Sequence, residues 1–375
     1  MNRMLQKIYG CEAAATIANA MGDVPETNTY LEIEQRWGFV DSMMPQNKWG
    51  HDGSLADKVE KPEYGYDLHF KAHTRPAGMT EDGHERHRLM TSAILKKNGR
   101  ITIDDLAAAW REDIDPEKFG YLLGPQDQII YYSLKAGVPP WEVGRYASWP
   151  GFMGTAKMMI PVGIVNACNP IQAARDAEEL ARIKDVKGVK GNYAVEVACA
   201  VAAATAEALK SDATVDSIID AALEQLSSRP RKEVLEGLNY AKKVKDWKVL
   251  RVFYHEKYDG HPMSNAVEVL SSGLACFWLA QGNTRNAILW AVNLGRDCDC
   301  RAYVSGGLSG ALSGIESVPK EWVRLVEKVA KEDPYTVSRR TAYEAAEGLY
   351  RAMLNNAQMM KAVTDDIFDR CSIQR

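Results

Sequence analysis

The sequence predicts an all-α protein, and three observations carry that reading. Apolar residues recur at helical spacing through long stretches of the chain. One stretch sets Ala302, Gly306, Gly310 and Gly314 four residues apart, on one face of a helix. No series of alternating apolar runs joined by hairpin turns occurs.

The opening residues, MNRMLQKIYGCEAAA, carry charges and no apolar run of signal-peptide length, so they read as the start of the fold and not as an export leader. Residues 40–80 are rich in Gly, Pro, His, Tyr and Asp and read as long irregular loops, a place where function often lies. Trp49, Tyr64, Tyr66 and His69 there would either wall a ligand or pin the loop, with His51 and Asp52 as its polar contacts. In PAGMTEDGHERHRLM (76–90), Thr80, Glu81 and Asp82 are consecutive oxygen donors at a loop-to-helix junction. Asp82 and Glu85 have capping-box spacing, and Leu89, Ala93 and Ile94 continue an apolar face. His84 and His87 admit a zinc site with Cys298 or Cys300, set against ordinary exposed histidines on a charged helix.

YASWPGF (146–152) offers Trp149 and Phe152, either packed or facing a ligand. YAVEVACAVAAATAEALK (193–210) is apolar nearly all round and predicts a buried helix. SNAVEVLSSGLACFWLAQG (264–282) predicts a helix capped by Ser264 and ended by Gly282, and NTRNAILWAVNLG repeats the pattern. Pro334 separates two charged, solvated helices.

The stretch NLGRDCDCRAYVSGGLSGALSGI (293–315) joins an acidic knot to the glycine-lined helix. Each glycine costs a helix about 1 kcal/mol relative to alanine. Close approach by a neighbouring helix would offset that, so this helix is expected at the centre. Asp297 and Asp299 at its start have two readings. They cap the helix, or they hold a hard cation together with a second acidic cluster, for which Thr80–Asp82 is the candidate.

Composition narrows the classes. A net charge of −4 gives no reason for a general polyanion-binding surface, so no nucleic-acid partner is expected. No stretch approaches the roughly 20 apolar residues of a membrane span. Seven scattered cysteines without a CxxC pair fit reduced thiols and a cytoplasmic location. The length allows one large domain or two.

Five short motifs, in order, resemble the ADP-ribosylglycohydrolase family. They are IANAMGDVPE (17–26), GMTEDG (78–83, against the family's GYTDDT), GTAKMMIPVGI (154–164), NLGRDCDCRAYVSGGLSGALSG, and VPKEW (318–322). The resemblance covers most of the chain and implies one domain over 1–375 with a compact multi-helix fold. It implies a metal-dependent hydrolase cleaving an N-glycosidic bond of a small-molecule ribosyl substrate, ADP-ribosyl or a smaller nucleoside-like glycoside, with Mg²⁺ (one or two ions; Mn²⁺ as an alternative).

Carried over by position, the metal ligands are Thr80, Glu81, Asp82, Asp297, Asp299 and Cys300. The catalytic groups are Glu26, Asp82 and Asp299. Substrate contacts are expected at Asn19 and Gly154, and, from the residues themselves, at Trp149, Phe152, His51 and Asp52. Several positions depart from the family pattern. Glu81 replaces aspartate, Gly83 and Cys300 replace threonines, Asn19 replaces aspartate, and Met153 and Met158 replace an asparagine and an arginine. A thiol is a poor partner for Mg²⁺. These changes leave two further readings: a one-metal enzyme with its base at Glu26 or Glu81, and a catalytically weakened family member that serves as a ligand-binding or structural protein.

Overall fold

The computed structural model describes residues 1–45, 75–116, 118–119, 123–147, 149–188 and 191–371. His51, Asp52 and the aromatics of the 49–70 stretch lie outside them. In chain order the α-helices are α1 (Arg3–Gly22), α2 (Tyr30–Trp37), α3 (Asp82–Lys97), α4 (Ile103–Glu112), α5 (Pro125–Lys135), α6 (Pro140–Val143), α7 (Ile160–Val165), α8 (Pro170–Ala181), α9 (Ala194–Ala208), α10 (Val215–Leu223), α11 (Ser228–Val244), α12 (Trp247–Tyr258), α13 (Ala266–Ala280), α14 (Thr284–Val292), α15 (Cys298–Ser313), α16 (Lys320–Glu332) and α17 (Ala342–Arg370). Short 3-10 turns complete them, among them Met153–Met158. Among the described residues there is no strand, only two isolated bridges, Thr29 with Gly295 and Phe152 with Asn265.

The seam of the fold is the pair α1 and α15. A Cβ on Gly310 would overlap the Gly10 carbonyl oxygen and lie 2.6 Å from its carbon; one on Gly10 would lie 2.5 Å from the Gly310 oxygen. The two backbones touch, which is what the glycine spacing predicts. Each helix then feeds two apolar clusters. Ile8 and Ala15 with Tyr303 and Leu308 face one. Ile17 and Met21 with Cys298 and Ala302 face the other. Helix α9 is buried on nearly every side, as its composition requires.

Three caps differ from the sequence expectation. Asn265, not Ser264, caps α13, and Gln281 in the left-handed conformation ends it ahead of Gly282. Ser264 itself sits at φ +65°, where its carbonyl accepts from Met153 N at 2.8 Å and ties the 3-10 turn to α13. Asp82 does not cap α3. Glu81 does, accepting from Gly83 N at 2.8 Å, while Glu85 is buried against Arg88, Thr336 and Val337. Asn283 caps α14 as predicted, accepting from Asn286 N at 2.9 Å. No disulfide joins the seven cysteines. No helix among the described residues is long and apolar enough to cross a membrane.

Candidate active site

The α1–α15 contact brings two helix starts and one turn together. Gly22, at the end of α1, lies so close that a Cβ there would be 2.5 Å from Asp299 N. The turn that follows carries Glu26. It is clipped to the acidic loop by Thr27 N donating to Arg296 O at 3.0 Å and Arg296 N donating to Asn28 O at 2.6 Å. Gly295 permits this crossing, because at φ +82° a side chain would collide with the backbone of Thr29 and Tyr30. Behind the loop, Glu268 of α13 accepts from Arg296 at 2.7 and 3.0 Å and from the wholly buried Arg301.

At the start of α15, Asp297 accepts from Cys300 N at 3.3 Å, so the capping reading holds. The cap does not exhaust its oxygens. Asp297 Oδ2, Asp299 Oδ1 and Thr80 Oγ1 are buried without a hydrogen-bond partner. Asp297, Asp299 and Cys300 each place one ligand atom within 4.8 Å of the others. Unpaired buried oxygens are costly, so this donor set fits one hard cation. The Cys300 thiol suits it less. Burial, and then Asp297 and Asp299, push that thiol well above its usual range, so it stays protonated.

In the Thr80–Asp82 segment the two acids, Glu81 and Asp82, have cationic partners within the chain. Lys157 Nζ, on the 3-10 turn, donates to Glu81 Oε1 at 2.6 Å and to Asp299 Oδ2. Arg86 donates to Asp82 at 2.6 Å and grips Asp127 through two bonds of 2.7 and 2.6 Å. Burial opposes the charge on Lys157, but Asp299, Glu81 and Asp297 hold the ammonium well above its usual pKa. Asp299 is itself pushed up, by burial first and then by Glu26, Glu81 and Asp297, with Lys157 opposing. Crowded carboxylates thus retain a proton or call for a further cation.

A cavity of about 360 Å³ opens beside this knot, within the usual range for small-molecule sites. Glu26, Asp82, Lys157, Asp299 and Cys300 line it, together with Gln126, Gly154, Trp149 and Phe152. Asp82, its side chain 30% exposed, and the half-buried Glu26 are the accessible carboxylates of the lining. Trp149, 43% exposed, stacks on Phe152 with ring centroids 5.9 Å apart. Both aromatics therefore sit where a ligand can reach them.

Asn19, expected to touch substrate, is instead wholly buried behind the knot. Its amide donates to Glu81 and, at 3.1 Å, to Asp299, and its oxygen accepts from Glu81 N at 3.0 Å. It positions the two acids. Met153 and Met158 are buried as well.

The zinc alternative is not assembled. His84 and His87 are buried, not exposed, and stack with centroids 4.8 Å apart. His84 meets Thr16 at 3.1 Å, and His87 lies between Tyr303 at 2.8 Å and Glu12 at 2.9 Å. Cys298 points to the Pro25 carbonyl, 3.6 Å away. These histidines are core groups packed against α1 and α15, though His84 Nδ1 has no hydrogen-bond partner.

Lys184, beside Gln126 at the cavity's edge, gives a pH prediction. Burial, and then Arg86, pull its pKa from the usual 10.5 to about 8, with Asp185, Asp127 and Asp82 opposing. The folded chain thus binds this proton less tightly than the unfolded chain does. The cost is fully present below about pH 8 and fades toward 10.5. Urea stability of the wild type is expected to gain up to about 3 kcal/mol over that window relative to Lys184→Met. Identical pH profiles for the two proteins would remove Lys184 from the account.

The all-helical fold is shared with known proteins. A solved structure described as "ADP-ribosylglycohydrolase-related protein complex" superposes with a TM-score of 0.61 at 18% identity, covering 94% of this chain and 100% of that one. At that identity the likeness speaks for the fold. A profile of the ADP-ribosylglycohydrolase family matches residues 1–358, and the chain belongs to that family. ADP-ribosylarginine hydrolase Tri1 of Pseudomonas putida (strain GB-1) is 35% identical over 104 residues, 28% of this chain. The match spans about a quarter of that relative's length, 24%.

Proposed function

We propose that this protein hydrolyses an N-glycosidic bond of a ribosyl substrate in the cavity between Glu26, Asp82 and Asp299 and the Trp149–Phe152 stack. The observation that carries this reading is the shared lining: carboxylates from three segments and a stacked aromatic pair border one ligand-sized cavity. Family membership and the partial match to an ADP-ribosylarginine hydrolase support it.

The chemistry follows from the lining. The aromatic pair takes the flat face of the sugar or its aglycone. The bond from the anomeric carbon to nitrogen breaks as a water oxygen bonds to that carbon. Positive charge builds on the sugar during this exchange, and the acidic wall stabilises it. Glu26 accepts the proton that water loses, and Asp82, oriented by Arg86 and held protonated by burial, gives its proton to the departing nitrogen. Asp297 and Asp299 would hold a Mg²⁺ or Mn²⁺ ion, which when bound supplies a Lewis acid for sugar hydroxyls. The substrate is an ADP-ribosyl group or a smaller nucleoside-like glycoside.

The test is a panel of N-ribosyl compounds, from ADP-ribosyl-arginine to simple nucleosides, assayed chromatographically for release of the free sugar. Glu26→Gln is expected to slow turnover about 10²–10⁴-fold while divalent-ion affinity stays near wild type. An unchanged rate would remove Glu26 from the mechanism. The ion pairs at Glu81 and Asp82 favour one alternative, binding without turnover. Saturable binding with no sugar released from any compound would select it.

A further inference from the structure

We propose that the Lys157 ammonium is a built-in cation of the acidic centre: it occupies the place between Glu81 and Asp299 that a metal ion would otherwise fill. Glu81 heads α3 and Asp299 stands in the first turn of α15. Two carboxylates from separate helices, buried side by side, repel unless a cation lies between them. Here Lys157 Nζ contacts one oxygen of each, with its side chain only 2% exposed. The Asn19 amide reaches the same two oxygens, Glu81 Oε1 and Asp299 Oδ2. Their lone pairs on this side are therefore already used.

A second, independent feature makes room for the lysine. A Cβ on Gly83 would lie 2.5 Å from Lys157 Cδ, 2.6 Å from Nζ and 2.7 Å from Cε. Any side chain at position 83 would push the ammonium from its seat. Gly83 is in the first turn of a regular helix, where alanine would otherwise be favoured, so the missing side chain serves the lysine.

The consequence is a centre of mixed character. A fixed single charge ties α3 to α15, and the unpaired oxygens of Asp297 and Asp299 remain for at most one divalent ion. An ammonium has three donors. Two are spent on carboxylates, and Lys157 also lines the cavity, so the third is placed to meet a substrate hydroxyl. That last role rests on the hydrolase reading; the cation role does not.

The experiment counts Mn²⁺ bound per chain, by equilibrium dialysis and elemental analysis of the purified full-length protein. Lys157→Met is expected to bind one Mn²⁺ more than wild type, because Glu81 and Asp299 are freed. Gly83→Ala, which displaces only the flexible end of Lys157, is expected to raise the count in the same direction. An unchanged count in folded Lys157→Met overturns the proposal. If that variant fails to fold, the Gly83→Ala count decides in the same way. The count needs no turnover, so a protein inactive on every glycoside can still gain the extra ion, and the two readings fail separately.

Discussion

Asp299→Asn is expected to lower kcat/KM for ribosyl hydrolysis by about 10²–10⁴-fold, the range for losing a positioned charged group at a reacting centre. Asp299 is the one carboxylate shared by every part of the site. It lines the cavity, contacts Lys157, and belongs to the group of potential metal ligands with Asp297 and Cys300. The amide keeps the shape and removes the charge. Lys157 retains Glu81 as partner, so the stability cost should stay near that of one weakened buried hydrogen bond, about 1–3 kcal/mol. Mn²⁺ binding should weaken in parallel with turnover, since the unpaired Oδ1 is lost as a charged donor. Steady-state kinetics with circular dichroism on the same preparation checks this. Near-wild-type turnover in a folded variant would sink the proposed site.

Gly310→Val is expected to cost the largest amount of stability of any single change at the seam, about 3 kcal/mol or more. The added atoms would meet the backbone of Gly10 and the Cβ of Ala14, not the end of a flexible side chain. The two helices would have to part, and both apolar clusters would open, because α1 and α15 contribute to each. Activity should fall too, since Gly22 of α1 lies against the backbone of Asp299. The control is Gly99→Ala, whose new methyl would meet nothing nearer than Asn355 Nδ2 at 3.9 Å. The urea midpoint is the readout; a wild-type midpoint for Gly310→Val would show that the seam tolerates separation.

Much of this site was legible in the chain because its framework rests on local rules. Glycine at every fourth position requires a close neighbour, and α1 supplies it. Acids at helix starts are read from capping preference, though the cap of α3 moved by one residue, from Asp82 to Glu81. Asn19 was legible as a departure from the family pattern but not as a clamp on Glu81 and Asp299. Lys157 and Arg86 carried no readable role, because a lone basic residue reads as solvated surface until its neighbours are known. One signal was present: a lysine beside Met158, where the family pattern has arginine, together with a glycine at position 83. The steric contact that links Gly83 to Lys157 exists only in three dimensions.

The sequence by itself determined an all-helical chain, a glycine-lined helix at its centre and an acidic knot at that helix's mouth. These follow from period, capping and steric cost, which act within a few residues. Only the tertiary structure decided which cation answers which carboxylate. Lys157 reaches Glu81 across 76 residues and Asp299 across 142. In a buried site those pairings turn on ångström placement of long side chains from separate segments, where an unpaired charge is too costly to keep.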